Sequence, residues 1–357
     1  MNSYLLRATF LSMVLVTLSL CAQAAPDAGL SFSHNDWQLA CDNTRTCRAA
    51  GYHSDDDELA VSVLLTRKAG PRQPVTGDIM IGRYDENEAL KKLPSVFTLS
   101  MRINNRVVGQ IVIRQDSLAA NLSAKQVDAL LAALPGNNHI EWVAGEHSWH
   151  LSDKGAAAVL LKMDEFQGRI DTQGALFKKG PRHENAVLPP LPEPVVFAAP
   201  LVKPLAGDDR FATENSEAIR KTLRATVKND DCSALMEDQA GEAKLFITRL
   251  TDTKMLVSTE CWSAAYNSGH GYWAINDSPP YDPVLVTTSG SEHSDGTIHA
   301  SHKGRGLGDC WSSNAWTWNG RQFIHTASSS TGMCKLLAPG GAWSLPTIIT
   351  KVRHSPP

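Results

Sequence analysis

Apolar and polar residues alternate along much of this chain, and the alternation predicts strands before anything else is considered. Leu59, Val61, Val63 and Leu65 are separated by more polar neighbours, as a strand with one buried face requires, and Phe97, Leu99, Met101 and Ile103 repeat the pattern. Asn104-Asn105 offers a turn from the second run into Val107–Ile113, which predicts a hairpin. The period then lengthens. Ser123, with Gln126 three residues later, makes a capping box, and Val127, Leu130, Leu131 and Leu134 form a helical stripe that Pro135-Gly136 stops. A second helix is expected from Ser152 through Ala156–Met163. Strands followed by short helices suggest a β-sandwich-like region with helical decoration.

Further on, Ile219, Leu223 and Val227 share one face of a helix expected over Ser216–Val227. Leu245–Arg249 and Met255–Cys261 read as strands around a polar turn at Asp252-Thr253. Asn319-Gly320 lies between Trp316-Thr317-Trp318 and Gln322-Phe323-Ile324 and predicts a two-residue hairpin turn. No repeat of fixed period is present.

Between Lys178 and Asp209 the patterning stops. Pro181, Pro189, Pro190, Pro192, Pro194, Pro200 and Pro204 exclude a helix or a central strand and predict an extended, exposed spacer. The expected organisation is therefore a leader over residues 1–24, an amino-terminal β-rich domain over 25–177, a Pro-rich linker over 178–209 and a carboxy-terminal β-rich domain over 210–357, each domain folding alone. The fold class is mainly β with short helices (α+β).

The leader is read from Arg7, the apolar run Ala8–Leu20 and Ala22-Gln23-Ala24 as a small-x-small cleavage signal. Lipidation at Cys21 is disfavoured by Leu20, which stands where that processing wants a small residue. Export to the periplasm is the expected destination, with release from the cell as the alternative. Removing Met1–Ala24 takes away one Arg and no acid, so the net charge moves from −3 to about −4. A weakly acidic chain has no electrostatic footprint for nucleic acid, and no later segment reaches transmembrane length.

Six cysteines remain after the leader: Cys41, Cys47, Cys232, Cys261, Cys310 and Cys334. An even count in an exported chain predicts three disulfides, and proximity favours Cys41–Cys47, Cys232–Cys261 and Cys310–Cys334 among fifteen formal pairings. No Cys-x-x-Cys argues for a redox role.

Candidate chemistry is sparse. His293, His299 and His302 cluster with Glu292 and Asp295, but His299 and His302 would face opposite sides of a strand. His147 and His150 fall one residue short of the helical zinc spacing. Gly304, Gly306 and Gly308 lack the Lys-Ser/Thr of a phosphate loop and read better as a tight turn feeding Cys310. No catalytic residue, metal ligand or cofactor is assigned. Aromatics are the remaining signal. Six of nine tryptophans fall in the carboxy-terminal part, where small disulfide-linked β domains use Trp as core filler; the alternative is a binding surface, for which His270, Tyr272 and Trp273 are the candidates, in a Gly-flanked segment read as an exposed, flexible loop.

The Trp37-x-x-x-Cys41 opening, the six cysteines and Lys303-Gly304-Arg305-Gly306-Leu307-Gly308-Asp309-Cys310 before a Trp-Asn-Gly hairpin resemble the bacterial envelope family called domain of unknown function 1176. The amino-terminal half is more loosely similar to the invasion-associated locus B proteins, without their second cysteine pair. Neither resemblance implies a reaction. The expected function is a binding or interaction module of the cell envelope, with an envelope protein or glycan as partner. A periplasmic hydrolase acting on wall or polysaccharide material is the alternative.

Overall fold

The structure is a computed structural model, and it describes residues 29–82, 88–236 and 244–354. The expected leader, with Cys21, lies outside the described residues.

The amino-terminal half holds β1 (Leu30–His34), β2 (Trp37–Cys41), β3 (Cys47–Tyr52), β4 (Val61–Arg67), β5 (Val75–Ile81), β6 (Val96–Ile103), β7 (Arg106–Arg114), β8 (Ala119–Leu122), β9 (Ile140–Ala144) and β10 (His147–Leu151), with helices α1 (Glu88–Lys91), α2 (Ala124–Ala133) and α3 (Ala156–Phe166). They form a six-stranded sheet, β1-β2-β3-β4-β5-β8, and a four-stranded sheet, β10-β9-β6-β7. One core lies between them: Leu39, Val61, Val63, Leu65 and Ile79 from the first sheet meet Leu99, Met101, Trp142 and Trp149 from the second, with Leu130 and Leu160 from the helices. The hairpin turn at Asn104-Asn105 has both φ angles positive (48° and 64°), as a tight turn between twisted strands demands. The capping box forms, Ser123 Oγ accepting from the Gln126 N–H while Gln126 Oε1 accepts from the Ser123 N–H.

The carboxy-terminal half holds β11 (Val195–Ala198), β12 (Phe246–Arg249), β13 (Lys254–Ser263), β14 (Ser268–Asn276), β15 (Val284–Gly290), β16 (Glu292–Ser294), β17 (Thr297–Lys303), β18 (Trp311–Trp318), β19 (Phe323–Ser330), β20 (Leu345–Ile348) and β21 (Lys351–His354), with α4 (Asp208–Glu214), α5 (Ser216–Arg224) and α6 (Ser233–Met236). Its sheets run β12-β13-β14-β15 and β16-β17-β18-β19-β20. One face of the first sheet packs Met255, Val257, Trp273 and Ile275 on Ile219, Leu223 and Leu235 of the helices. Its other face packs Leu256, Tyr272 and Ala274 on Ile298 and Trp318 of the second sheet. The fold is thus mainly β with short helices. Disulfides join Cys41 to Cys47, Cys232 to Cys261 and Cys310 to Cys334.

Three expectations change. The hairpin between β18 and β19 exists, but its turn centres one residue later: the Asn319 N–H donates to the Gln322 carbonyl at 3.1 Å. Asn319 instead braces the turn with its side chain, Oδ1 accepting from the Arg321 and Gln322 N–H groups. Gly320 supplies the positive φ, 92°.

β4 is buried on both faces rather than one. On the outer face of the six-stranded sheet, Ala40, Ala50, Tyr52, Leu64 and Met80 are covered by Met333, Leu337, Trp343 and Leu345 from the far end of the chain. Trp343 Nε1 donates to Ser62 Oγ at 2.7 Å, and Lys335 Nζ reaches Asp36 at 2.9 Å and Asp55 at 2.6 Å.

The Pro-rich stretch is largely exposed but is not a free spacer. Its first part belongs to the amino-terminal half, where Glu184 meets the fully buried Arg169 at 3.3 Å. Leu191 then donates to the Thr44 carbonyl, and β11 pairs in parallel with β21. The prolines behave as backbone chemistry requires, because the strand begins only after Pro194 and lies in a two-stranded ribbon.

Candidate functional site

A pleated strand sends successive side chains to opposite faces, and β14 shows what that means for the aromatic segment. The stretch read as an exposed loop is a strand within a sheet, with partners on both sides. Trp273 points to the helix-covered face, is 0% exposed, and donates from Nε1 to Thr226 Oγ1 at 2.8 Å. It is a core residue and not a surface anchor. Its glycine neighbours do not confer flexibility; they make room. A Cβ at Gly271 would stand 2.1 Å from the Trp273 ring, and one at Gly269 would stand 2.3 Å from the Trp262 ring.

His270 and Tyr272 face the other way, into a cavity of about 250 Å³. Phe246, Thr248, Leu256, Ser258, Ser291 and His293 complete its lining. The register explains the assembly: Phe246 lies opposite Ser258, and Ser258 opposite Tyr272, so three strands send one row of side chains to the same face. His293, on β16, comes from the facing sheet, with its ring 6.5 Å from that of Tyr272. Phe246 is 51% exposed at the rim, with Lys244 Nζ 5.2 Å above its ring.

The described lining combines hydroxyls, imidazoles and aromatic rings. Burial pushes the His293 imidazole below its usual range; nearby Asp295 opposes the shift and His299 adds to it. Burial, with Glu292 second, raises the Tyr272 phenol. Two buried imidazole nitrogens, His270 Nδ1 and His293 Nε2, have no hydrogen-bond partner among the described residues. Buried polar atoms are ordinarily paired, so these two nitrogens, closed off from solvent in residues that line the cavity, are open to a hydrogen bond from a group that reaches them. Among the described residues no carboxylate, Lys or Arg lines the cavity.

The other histidines separate from this site. His302 lies tilted against Trp262, with ring centroids 5.3 Å apart, and His325 stacks on Trp316 at 4.9 Å. The glycine-rich segment braces itself: Arg305 Nε donates to Asp309 Oδ1 at 2.7 Å, Asp309 Oδ2 accepts from the Leu336 N–H at 2.8 Å, and Trp311 Nε1 donates to the Gly308 carbonyl. Burial would raise the Asp309 carboxyl, but Arg305 and the Leu336 N–H outweigh it and hold it below the usual range. Cys310 follows directly and is bonded to Cys334.

A family model matches residues 31–350, nearly the whole described chain. The chain belongs to the family described as protein of unknown function (DUF1176). It is also similar to the uncharacterised protein YpfG of Escherichia coli (strain K12), at 24% identity over 90% of this chain and 92% of that one. No solved structure matches it. The likeness of the amino-terminal half to invasion-associated locus B proteins stays a reading of the sequence alone. DUF1176 membership brings no assigned reaction or ligand, so the site must speak through its chemistry.

Sequence reasoning placed His270 and Tyr272 in the site and missed Phe246, Ser258 and His293 as their companions. Phe246 and Ser258 were within reach, since expected strands flank the Asp252-Thr253 turn and a hairpin register pairs them. His293 was not, because it arrives from another sheet.

Proposed function

We propose that this DUF1176 protein is an exported binding module of the cell envelope, whose carboxy-terminal cavity takes a small, uncharged, hydroxyl- or amide-bearing ligand such as one unit of an envelope glycan. The lining carries this reading, because hydroxyls, imidazoles and aromatic rings converge on one cavity, and the unpartnered nitrogens of His270 and His293 can donate to or accept from a ligand group that reaches them. Ser258, Thr248 and Ser291 add hydroxyls, and Tyr272 and Phe246 add aromatic faces of the kind that line sugar sites. A volume of about 250 Å³ lies just under the usual ~300–1,000 Å³ range of ligand pockets, which suits a single unit rather than an oligomer.

Binding is favoured over hydrolysis by the lining itself. Glycoside hydrolysis ordinarily uses a pair of carboxylates, and among the described residues none lines the cavity. Export to the periplasm is supported by three disulfides, which persist in oxidising compartments. Among the described residues no helix is long and apolar enough to cross a membrane.

The experiment is saturation-transfer NMR of the mature protein with a panel of N-acetylated and plain monosaccharides. At least one should receive saturation, and both His293→Ala and Tyr272→Phe should weaken it several-fold with an unchanged melting temperature. Equal saturation of wild type and both variants would overturn the assignment.

A further inference from the structure

A second cluster lies in the amino-terminal half, away from the cavity. In the β9–β10 hairpin His150 stands directly opposite Glu141, and on the other side Arg102 of β6 stands opposite the same Glu141. His139 is two residues before Glu141 and so projects to the same side. The result is a convergence of three ligand atoms. Glu141 Oε2 lies 3.6 Å from His139 Nε2 and 3.5 Å from His150 Nε2, and all three lie within 4.8 Å of one another.

Those separations are too long for hydrogen bonds and close to the edges of a metal coordination shell. Two ligands each ~2.05 Å from one ion at the tetrahedral angle stand roughly 3.3 Å apart. The two imidazoles are half-exposed and can close the remaining distance, while the Glu141 carboxylate is nearly buried and anchored. Burial alone would raise the Glu141 carboxyl, but the Ser148 hydroxyl, His139, His150 and Arg102 outweigh it and keep it ionised. Behind His150, Asp57 Oδ1 lies 3.4 Å from Nδ1. A carboxylate on the far nitrogen is the usual outer support of a metal-bound imidazole, since it fixes the tautomer that leaves Nε2 free.

We propose that His139, Glu141 and His150 form a site for a divalent transition metal ion of the zinc type, bound through two Nε2 atoms and Oε2, with Asp57 orienting His150. The solvent side supplies the remaining position. Ser148 Oγ lies 3.1 Å from His150 Nε2 and hydrogen-bonds Glu141 Oε2, so it turns aside on binding. Its hydroxyl donates to the carboxylate rather than to the imidazole, which argues against a Ser148–His150–Asp57 nucleophile. Arg102 approaches the other carboxylate oxygen, Oε1, at 3.9 Å and leaves Oε2 to the metal.

The test is calorimetric titration of chelator-stripped mature protein with Zn²⁺. One ion per chain is expected, weakened at least tenfold in His139→Ala and in His150→Ala, and roughly 10–100-fold in Asp57→Asn, as loss of an outer partner does. His147→Ala, on the same strand but outside the cluster, should bind as wild type. Ring nitrogen NMR of the unmutated protein gives a readout that no folding defect can confuse: Zn²⁺ should perturb His139 and His150 first. No binding, or first perturbation of other histidines, overturns the proposal.

Discussion

The backbone N–H of Met333 donates to the Tyr52 hydroxyl at 3.1 Å, across 281 residues of chain. Tyr52 is fully buried on the outer face of the six-stranded sheet, beneath the segment that Cys310–Cys334 holds in place. The two halves therefore share a core layer, and neither covers its apolar surface alone. Gly332, next to Met333, has φ 95°, and a Cβ there would stand 2.0 Å from the Tyr52 oxygen. Gly332→Ala should cost about 2 kcal/mol or more, from the left-handed backbone and the forced displacement of Tyr52. Urea unfolding would check this, and an unchanged midpoint would contradict the shared layer.

The same layer predicts how the protein unfolds. A fragment ending at residue 177 would expose Ala40, Ala50 and Leu64 and lose every contact from Trp343 and Leu345. It should unfold at a lower temperature than the amino-terminal half does within the whole chain. Calorimetry of the fragment against the intact mature protein reads the difference directly. A fragment as stable as the whole would restore independent domains.

Trp273 and Tyr272 should separate stability from binding. Trp273→Ala removes a fully buried indole and should lose roughly 3–5 kcal/mol. Tyr272→Phe keeps the ring and removes only the hydroxyl, so the midpoint should hold while ligand capture falls. Denaturation and ligand titration on both variants check the pair, and the reverse pattern would put the site on the wrong face of β14.

Acid should weaken the fold before ordinary carboxylates titrate. Burial lowers the imidazoles of His53, His293 and His325 below the usual 6.5. Above that value folded and unfolded states are both neutral. As pH falls below it, the unfolded chain takes up protons that the folded chain refuses, so stability declines from about pH 6.5 down to the folded values. Asp164, raised by burial, works in the opposite sense. His293→Asn isolates one contribution: its melting temperature should fall less between pH 7 and pH 5 than that of wild type. Parallel curves would remove His293 from the acid response.

The start of the Pro-rich stretch should resist proteolysis because Glu184 ties it down. Burial would raise this carboxyl, but N–H donors from Arg72 and Gly174 and the buried Arg169 hold it ionised. Glu184→Ala leaves the Arg169 guanidinium buried without its carboxylate and should cost about 3–5 kcal/mol. Limited trypsin digestion should then open Arg182, which the unmutated protein protects through bonds to the Ile170 and Gly168 carbonyls. Equal cleavage rates would argue that Glu184 is dispensable.

What the sequence determined by itself was local. The period-2 runs around Val61–Leu65 and Phe97–Ile103, the Ser123–Gln126 cap and the Asn104-Asn105 turn are set by interactions within a few residues, and they could be read from the chain. The pairing of cysteines 6, 29 and 24 residues apart was legible because each cysteine bonds a near neighbour in the chain. Local pattern could not decide which face each strand residue would find covered, because that depends on what arrives from elsewhere. Tyr272 and Trp273 are adjacent in sequence, and the pleat alone makes them opposites: one in a cavity, one in a core. Ala40, Leu64 and Tyr52 lie on the outer face of their sheet and are covered by Trp343 and Leu345, almost three hundred residues away. His150 was weighed with His147 alone, and only the β9–β10 register sets it opposite Glu141, with His139 two residues before. Burial and site assembly are long-range properties, created when loop closure places one surface on another.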